Sequence, residues 1–231
     1  MLEERQERIR RNKMAIMKYE IFDDIKYHID NKLLLTVERL AFESNVHRGF
    51  PVKITNDFLL MTNIIDFHNE GYILLRCADV TNAYSKESDV FYENICISEG
   101  LQKEIEKCKI DISKNVHSIL NQLNEINSFI TIHCEKETEK CNFFMGQIKN
   151  IKDDYVEFLS LDVDGKWDRE TDIIYFSDIT MISVDDHYAK MFYKYVKWTQ
   201  GRDTRVRTRG RFYCVAGNGY GFYDEMLMHF I

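Results

Sequence analysis

Two stretches of this chain are versions of one pattern, and that duplication limits the fold more than any other feature of the sequence. Residues 49–84 read GFPVKITNDFLLMTNIIDFHNEGYILLRCADVTNAY, and residues 146–184 read GQIKNIKDDYVEFLSLDVDGKWDRETDIIYFSDITMISV. With Gly49 set on Gly146, Asn56-Asp57 falls on Asp153-Asp154, Phe58 on Tyr155, Leu59 on Val156 and Met61 on Phe158. Opening two residues in the middle loop places Arg76 on Tyr175 and Ala78-Asp79-Val80-Thr81 on Ser177-Asp178-Ile179-Thr180. Each stretch is a series of short apolar runs separated by turn residues, the pattern of a small antiparallel β unit.

Within the first unit the runs predict strands at Leu33–Val37, Phe50–Ile54, Phe58–Ile65, Tyr72–Cys77 and Val80–Tyr84, with Asn69-Glu70-Gly71 as the tight part of the central loop. The second unit predicts strands at Phe129–Cys134, Phe143–Ile151, Tyr155–Leu161, Ile173–Phe176 and Ile179–Val184, with a wide acidic loop at Asp162–Asp172. Helical spacing precedes each unit. Ile9, Ile16, Met17, Ile21, Ile25 and Ile29 form a stripe in Leu2–Ile29, and Leu101, Ile105, Cys108, Ile112, Val116, Ile119, Leu123 and Ile126 form another. The second stripe predicts one long connecting helix of roughly 39 Å at 1.5 Å per residue. Short helices are expected at Ser88–Ile97 and at His187–Lys197, where Met191, Phe192, Tyr195 and Val196 face inward and Asp185-Asp186 supplies the N-cap.

The expected architecture is therefore α+β. It has two small antiparallel five-stranded barrels, each preceded by a helix and joined by a long helix. The domain reading is an N-terminal helix at 1–30, a first barrel with trailing helix at 31–99, a connecting helix at 100–127, a second barrel with trailing helix at 128–198, and an Arg-rich, Gly/aromatic segment at 199–231.

Charge is unevenly spread. The chain carries −7 overall, residues 1–20 and 201–231 carry +2 each, and so residues 21–200 carry −11. An acidic body argues against generic nucleic-acid binding and suits a basic partner. The six cysteines at 77, 96, 108, 134, 141 and 214 are scattered without a CxxC, as expected of reduced thiols. With no membrane-length apolar run and no signal-peptide core, the expected location is the cytoplasm.

Helix followed by five short strands, a glycine opening strand two and an aspartate in the next turn resembles the Sm-like small barrel within the SH3-like group, in tandem proteins of bacterial or phage type. Leu75-Arg76-Cys77-Ala78-Asp79-Val80 looks like the Sm hydrophobic-Arg-Gly segment, with Cys77 in place of the glycine. Asn56-Asp57 through Asn63 looks like the Sm Asp…Asn loop. The resemblance implies a nucleic-acid pocket at Arg76. The second unit departs from it, with Tyr175 in the arginine's place.

Four features carry candidate chemistry. Asp162-x-Asp164-Gly165-x-x-Asp168 resembles the start of a calcium loop, but position twelve is Ile173 rather than a glutamate, so an acidic hairpin is expected and no metal. His133 and Cys134 lie on opposite faces of a strand and, with Cys141, do not share an ion; a core thiol and a surface imidazole are expected. Asp185-Asp186-His187 has a helix cap as its plain explanation. Arg205, Arg207, Arg209 and Arg211 alternate in RVRTRGR, with Tyr213 among the aromatics that follow, a row suited to phosphates or carboxylates.

No nucleophile elbow, HExxH, P-loop or other catalytic constellation accompanies these residues, so no enzymatic activity and no cofactor are expected. The reading is a binding protein of the immunity or anti-defence inhibitor type. It would grip a basic, nucleic-acid-handling protein with Asp162, Asp164, Asp168 and the four arginines. The alternative is an Sm-like nucleic-acid-binding regulator using Arg76, Arg205, Arg207, Arg209, Arg211 and Tyr213.

Overall fold

A computed structural model describes residues 19–42, 46–126, 129–136 and 142–199. Eleven strands are assigned in them: β1 Leu35–Glu38, β2 Val46–Gly49, β3 Pro51–Ile54, β4 Phe58–Ile65, β5 His68–Arg76, β6 Asn82–Tyr84, β7 Ile130–Cys134, β8 Asn142–Ile151, β9 Tyr155–Ser160, β10 Asp172–Tyr175 and β11 Met181–Val184. Helix α1 covers 19–31, α2 Asp89–Ser98, α3 Glu104–Lys107, α4 Val116–Ile126 and α5 His187–Thr199.

The strands form a three-stranded sheet, β2-β1-β6, and an eight-stranded sheet, β10-β9-β8-β7-β11-β5-β4-β3. This corrects the expectation of two separate five-stranded barrels, since neither sheet closes. The first repeat is divided between the sheets at Phe50, which interrupts strand two. Its N–H donates to Thr62 Oγ1 at 2.8 Å and its carbonyl accepts Thr62 N–H at 3.0 Å, so β2 stays with β1 while β3 joins β4. The second repeat is continuous with the first because β11 pairs antiparallel with β5, Met181 opposite Leu75 and Val184 opposite Tyr72.

The duplication itself is physical. Following neighbours through each repeat gives β6-β1-β2/β3-β4-β5 and β11-β7-β8-β9-β10, the same order twice. Gly49 opposes Leu35 and Gly146 opposes Ile130. A Cβ on Gly49 would lie 1.8 Å from the Thr62 carbonyl oxygen, and one on Gly146 would lie 2.1 Å from that of Leu159, a residue in the same place of the repeat. Both glycines are there because a neighbouring strand's backbone crosses at contact distance. The register shifts between Pro51 and Lys53 and, ninety-seven positions later, between Ile148 and Asn150. Even the turns match: Thr55 N–H donates to Phe58 O at 2.9 Å and Lys152 N–H to Tyr155 O at 2.9 Å.

Packing repeats as well. Helix α1 inserts Ile25 into a core with Leu35, Val37, Leu59, Met61, Ile73 and Leu75. Helix α4 inserts Ile119, Leu120 and Leu123 into the core of the second repeat with Ile132, Val156, Phe158 and Ile182. That second core also takes Phe58, Leu60 and Leu74 from the outer face of β4 and β5, so the two repeats share one apolar interior. The trailing helices sit alike, α2 with Leu34 and Ile64 and α5 with Phe129 and Leu161.

Two local expectations need correction. The long connecting helix is a 3-10 turn at Leu101–Lys103, the short α3, an extended stretch, and then α4 of eleven residues. Buried Ile110 and Ile112 alternate with exposed Lys109 and Asp111, a period of two that the helical reading of the stripe missed. Asn115 then begins α4 by accepting Ser118 N–H on Oδ1 at 3.0 Å. The central turn of the first repeat falls at Asp66-Phe67, both at positive φ, rather than at Asn69-Glu70-Gly71. Gly71 instead lies inside β5 at φ 77°, where a Cβ would meet Val184 O at 2.2 Å across the joint between repeats.

Candidate functional site

The acidic loop ends the eight-stranded sheet, between β9 and β10. Its tip is a tight turn closed by Gly165 N–H to Asp162 O at 3.0 Å and Asp162 N–H to Lys166 O at 2.8 Å. Gly165 supplies the positive φ of 71°. The Asp162 carboxylate accepts Lys166 N–H at 2.7 Å, so it fixes the turn. Asp164 projects into solvent, while Asp168 lies half-buried, its N–H on Ser160 O at 2.9 Å. The structure therefore brings Asp162 and Asp164 together at the tip and sets Asp168 back on the rising arm. Among the described residues no group of three or more His, Cys, Asp or Glu is gathered as a metal site.

Beside this tip runs helix α5. Asp186 caps it, its Oδ1 accepting Ala189 N–H at 2.7 Å, and burial raises its pKa above the ordinary aspartate value. The cap is thus the role of this aspartate. Phe192 and Val196 turn inward as expected, but Met191 and Tyr195 are 38% and 52% exposed, which corrects their inward assignment. Between helix and loop lies a groove of about 310 Å³, lined by Val163, Asp164, Gly165, Met191, Phe192, Tyr195 and Val196. An apolar floor beside a solvated carboxylate offers a seat for an apolar anchor that carries or adjoins a positive charge.

Arg76 has a different place. Its Nε donates to Ile179 O at 2.7 Å and its Nη2 to Phe176 O at 2.6 Å, and the guanidinium lies 5.0 Å over the Phe58 ring. It clamps the second repeat to the first. Nearby, Arg39 is fully buried and forks onto Glu135, with Nη1 to Oε2 at 2.9 Å and Nη2 to Oε1 at 3.1 Å. Thr180 Oγ1 donates to the same Glu135 carboxylate. Asp79 lies in this seam with one buried oxygen unpaired, and burial raises its pKa against the pull of Lys136, Arg39 and Arg76.

His133 is buried, edge-on to Phe143 at 4.9 Å, rather than a surface imidazole, and Cys134 is buried in the core beside it. Arg205, Arg207, Arg209, Arg211 and Tyr213 lie outside the described residues. The sequence reading missed the Arg39–Glu135 pair. Its only trace is the placement of Arg39 and Glu135 just after equivalent first strands. No helix among the described residues is long and apolar enough to cross a membrane. No family model, curated protein or solved structure matches the chain.

Proposed function

We propose that this chain is a non-enzymatic binding protein of the immunity or anti-defence inhibitor type, and that it holds a basic protein partner at the groove between the Asp162–Asp168 loop and α5. The observation that carries this reading is the pairing of exposed Met191 and Tyr195 with Asp164 along one groove, on a body whose central 180 residues hold the acidic excess. A basic, nucleic-acid-handling protein presents the matching charge, and long-range attraction of this kind speeds encounter as well as binding. In the nucleic-acid alternative Arg76, half-buried, would meet a ligand with its Nε and Nη2 already bonded to two carbonyls.

The test is affinity capture from the native host with the wild-type chain and with an Asp162→Asn, Asp164→Asn, Tyr195→Ala variant, each run at low and high salt. A basic protein captured by the first, lost with the second and weakened by salt supports the reading. Capture of nucleic acid alone, or of the same protein equally by both chains, overturns it.

A further inference from the structure

The joint inside this chain is a head-to-tail contact between two copies of one unit. The fourth strand of the first repeat, β5, pairs with the fifth strand of the second, β11. Such a contact leaves one unmatched strand of each kind at the two ends. Among the described residues the fifth strand of the first repeat, β6, has the single ladder partner β1, and the fourth strand of the second repeat, β10, has the single partner β9. We propose that these two edges meet between molecules, β10 of one copy pairing antiparallel with β6 of a second copy in the register of the internal joint.

The hydrogen-bond phase of each edge matches that register. Inside the chain, Arg76 N–H donates to Thr180 O at 3.1 Å, so by alternation Leu74 and Ile182 form the next bonded pair. The equivalent meeting places Tyr175 opposite the second copy's Thr81 and Ile173 opposite its Ala83. On β10, Phe176 N–H donates to Asp154 O at 2.8 Å in the same register as the β9 ladder, so Ile174 and Asp172 bond inward. The N–H and C=O groups of Ile173 and the N–H of Tyr175 therefore point outward, while the Tyr175 carbonyl accepts Asp178 N–H at 3.0 Å. On β6, Ala83 N–H is turned away from β1 but is held by the Asn82 side-chain oxygen at 3.1 Å, and the residue is only 3% exposed, so an incoming strand has to displace the Asn82 side chain to reach it.

Thr81 completes the match. Its N–H donates to Glu38 O at 2.9 Å with Oγ1 3.0 Å from the same oxygen, as Thr180 N–H donates to His133 O at 2.9 Å with Oγ1 3.0 Å from it. The Thr180 carbonyl in that arrangement receives Arg76 N–H, and the Thr81 carbonyl is positioned to receive that of Tyr175. The side chains agree. Leu74 on β5 is fully buried by the second repeat, whereas its counterpart Ile173 is 49% exposed and Tyr175 is 48% exposed, an apolar pair on an edge strand.

This contact is heterologous, so each addition leaves another β10 and another β6, and the product is a closed ring or an open chain of copies. It is weaker than the internal joint, because Tyr175 stands where Arg76 clamps Phe176 and Ile179 and because each copy carries −7. Salt screens that repulsion and strengthens the association, the reverse of what an acidic surface shows toward a basic partner.

Sedimentation velocity and native mass spectrometry on the full chain, from micromolar to several hundred micromolar at low and high salt, test the proposal. Ile173→Pro removes an outward N–H without removing a bond to β9, and Ala83→Pro does the same on β6. Each folded variant should associate about tenfold or more weakly than the wild type. Mixed together, the two should form a one-to-one pair and nothing larger, since each retains the edge the other has lost. Ile173→Lys, a charge on the same edge, serves if either proline variant fails to melt cooperatively. A wild-type chain that stays monomeric throughout at high salt, or association unchanged in the folded variants, overturns the proposal.

Discussion

The buried pair between Arg39 and Glu135 ties the two repeats together, and removing its acid isolates that contribution. In the wild type the Arg39 side chain is fully buried and the Glu135 side chain is 9% exposed, with two guanidinium donors on one carboxylate. Glu135→Ala leaves a guanidinium inside the protein without its carboxylate and takes away the partner of Thr180 Oγ1. Breaking a buried pair from one side costs about 3–5 kcal/mol, because the remaining charge stays desolvated. For a chain of this size that corresponds to a fall in Tm of roughly 6–20 °C. The assay is urea unfolding and thermal melting of Glu135→Ala, Glu135→Leu, Arg39→Met and the double variant that combines the last two. Either single change should lose stability on that scale, and Arg39→Met with Glu135→Leu should recover most of it, since an apolar pair of similar volume needs no desolvation. Loss below about 1 kcal/mol in Glu135→Ala, or strict additivity in the double variant, would refute the claim that the pair acts as one unit across the seam.

Three further outcomes follow from the same structure. Gly49→Ala and Gly146→Ala should each cost about 3 kcal/mol in chemical unfolding, because the new Cβ meets a strand carbonyl at 1.8 and 2.1 Å. Gly100→Ala, with its nearest neighbour at 3.9 Å but φ 79°, should cost only about 1 kcal/mol. The raised pKa of Asp79 means that the folded chain binds this proton more readily than the unfolded one. Stability from this group is therefore lost as pH rises from the ordinary aspartate value through the raised one, and Asp79→Asn should remove that slope in urea midpoints measured across the window. Tyr92→Phe should cost about 1 kcal/mol, because the hydroxyl accepts Phe67 N–H at 3.3 Å and helps hold Phe67 at φ 62°, stacked on the Tyr92 ring.

Much of the local structure was legible because it depends on short-range pattern. The runs at Phe58–Ile65, Tyr155–Leu161 and His187–Lys197 fell within a residue or two of β4, β9 and α5, since apolar spacing and turn residues act over a few positions. The Asp186 cap was readable for the same reason. The connecting helix failed because Ile105, Cys108 and Ile112 satisfy a helical period while Ile110 and Ile112 satisfy a strand period, and only the surrounding core selects between them. Of the candidate site, the acidic loop was visible as letters. The groove was not, because Met191 and Tyr195 have the same spacing whether they face the core or solvent.

The duplication is what the sequence determined by itself. Glycines at 49 and 146, turns at Asp57 and Asp154 and matched apolar runs carry the same strand order into both halves, because each acts on neighbours within its own repeat. What lies between the repeats belongs to tertiary structure alone. Pairing of β11 with β5, the Arg76 clamp and the Arg39–Glu135 fork join residues about a hundred positions apart. No local pattern reports such contacts. They exist because the exposed edge and apolar outer face of one repeat are covered by the next, which made one shared eight-stranded sheet more favourable than two closed barrels.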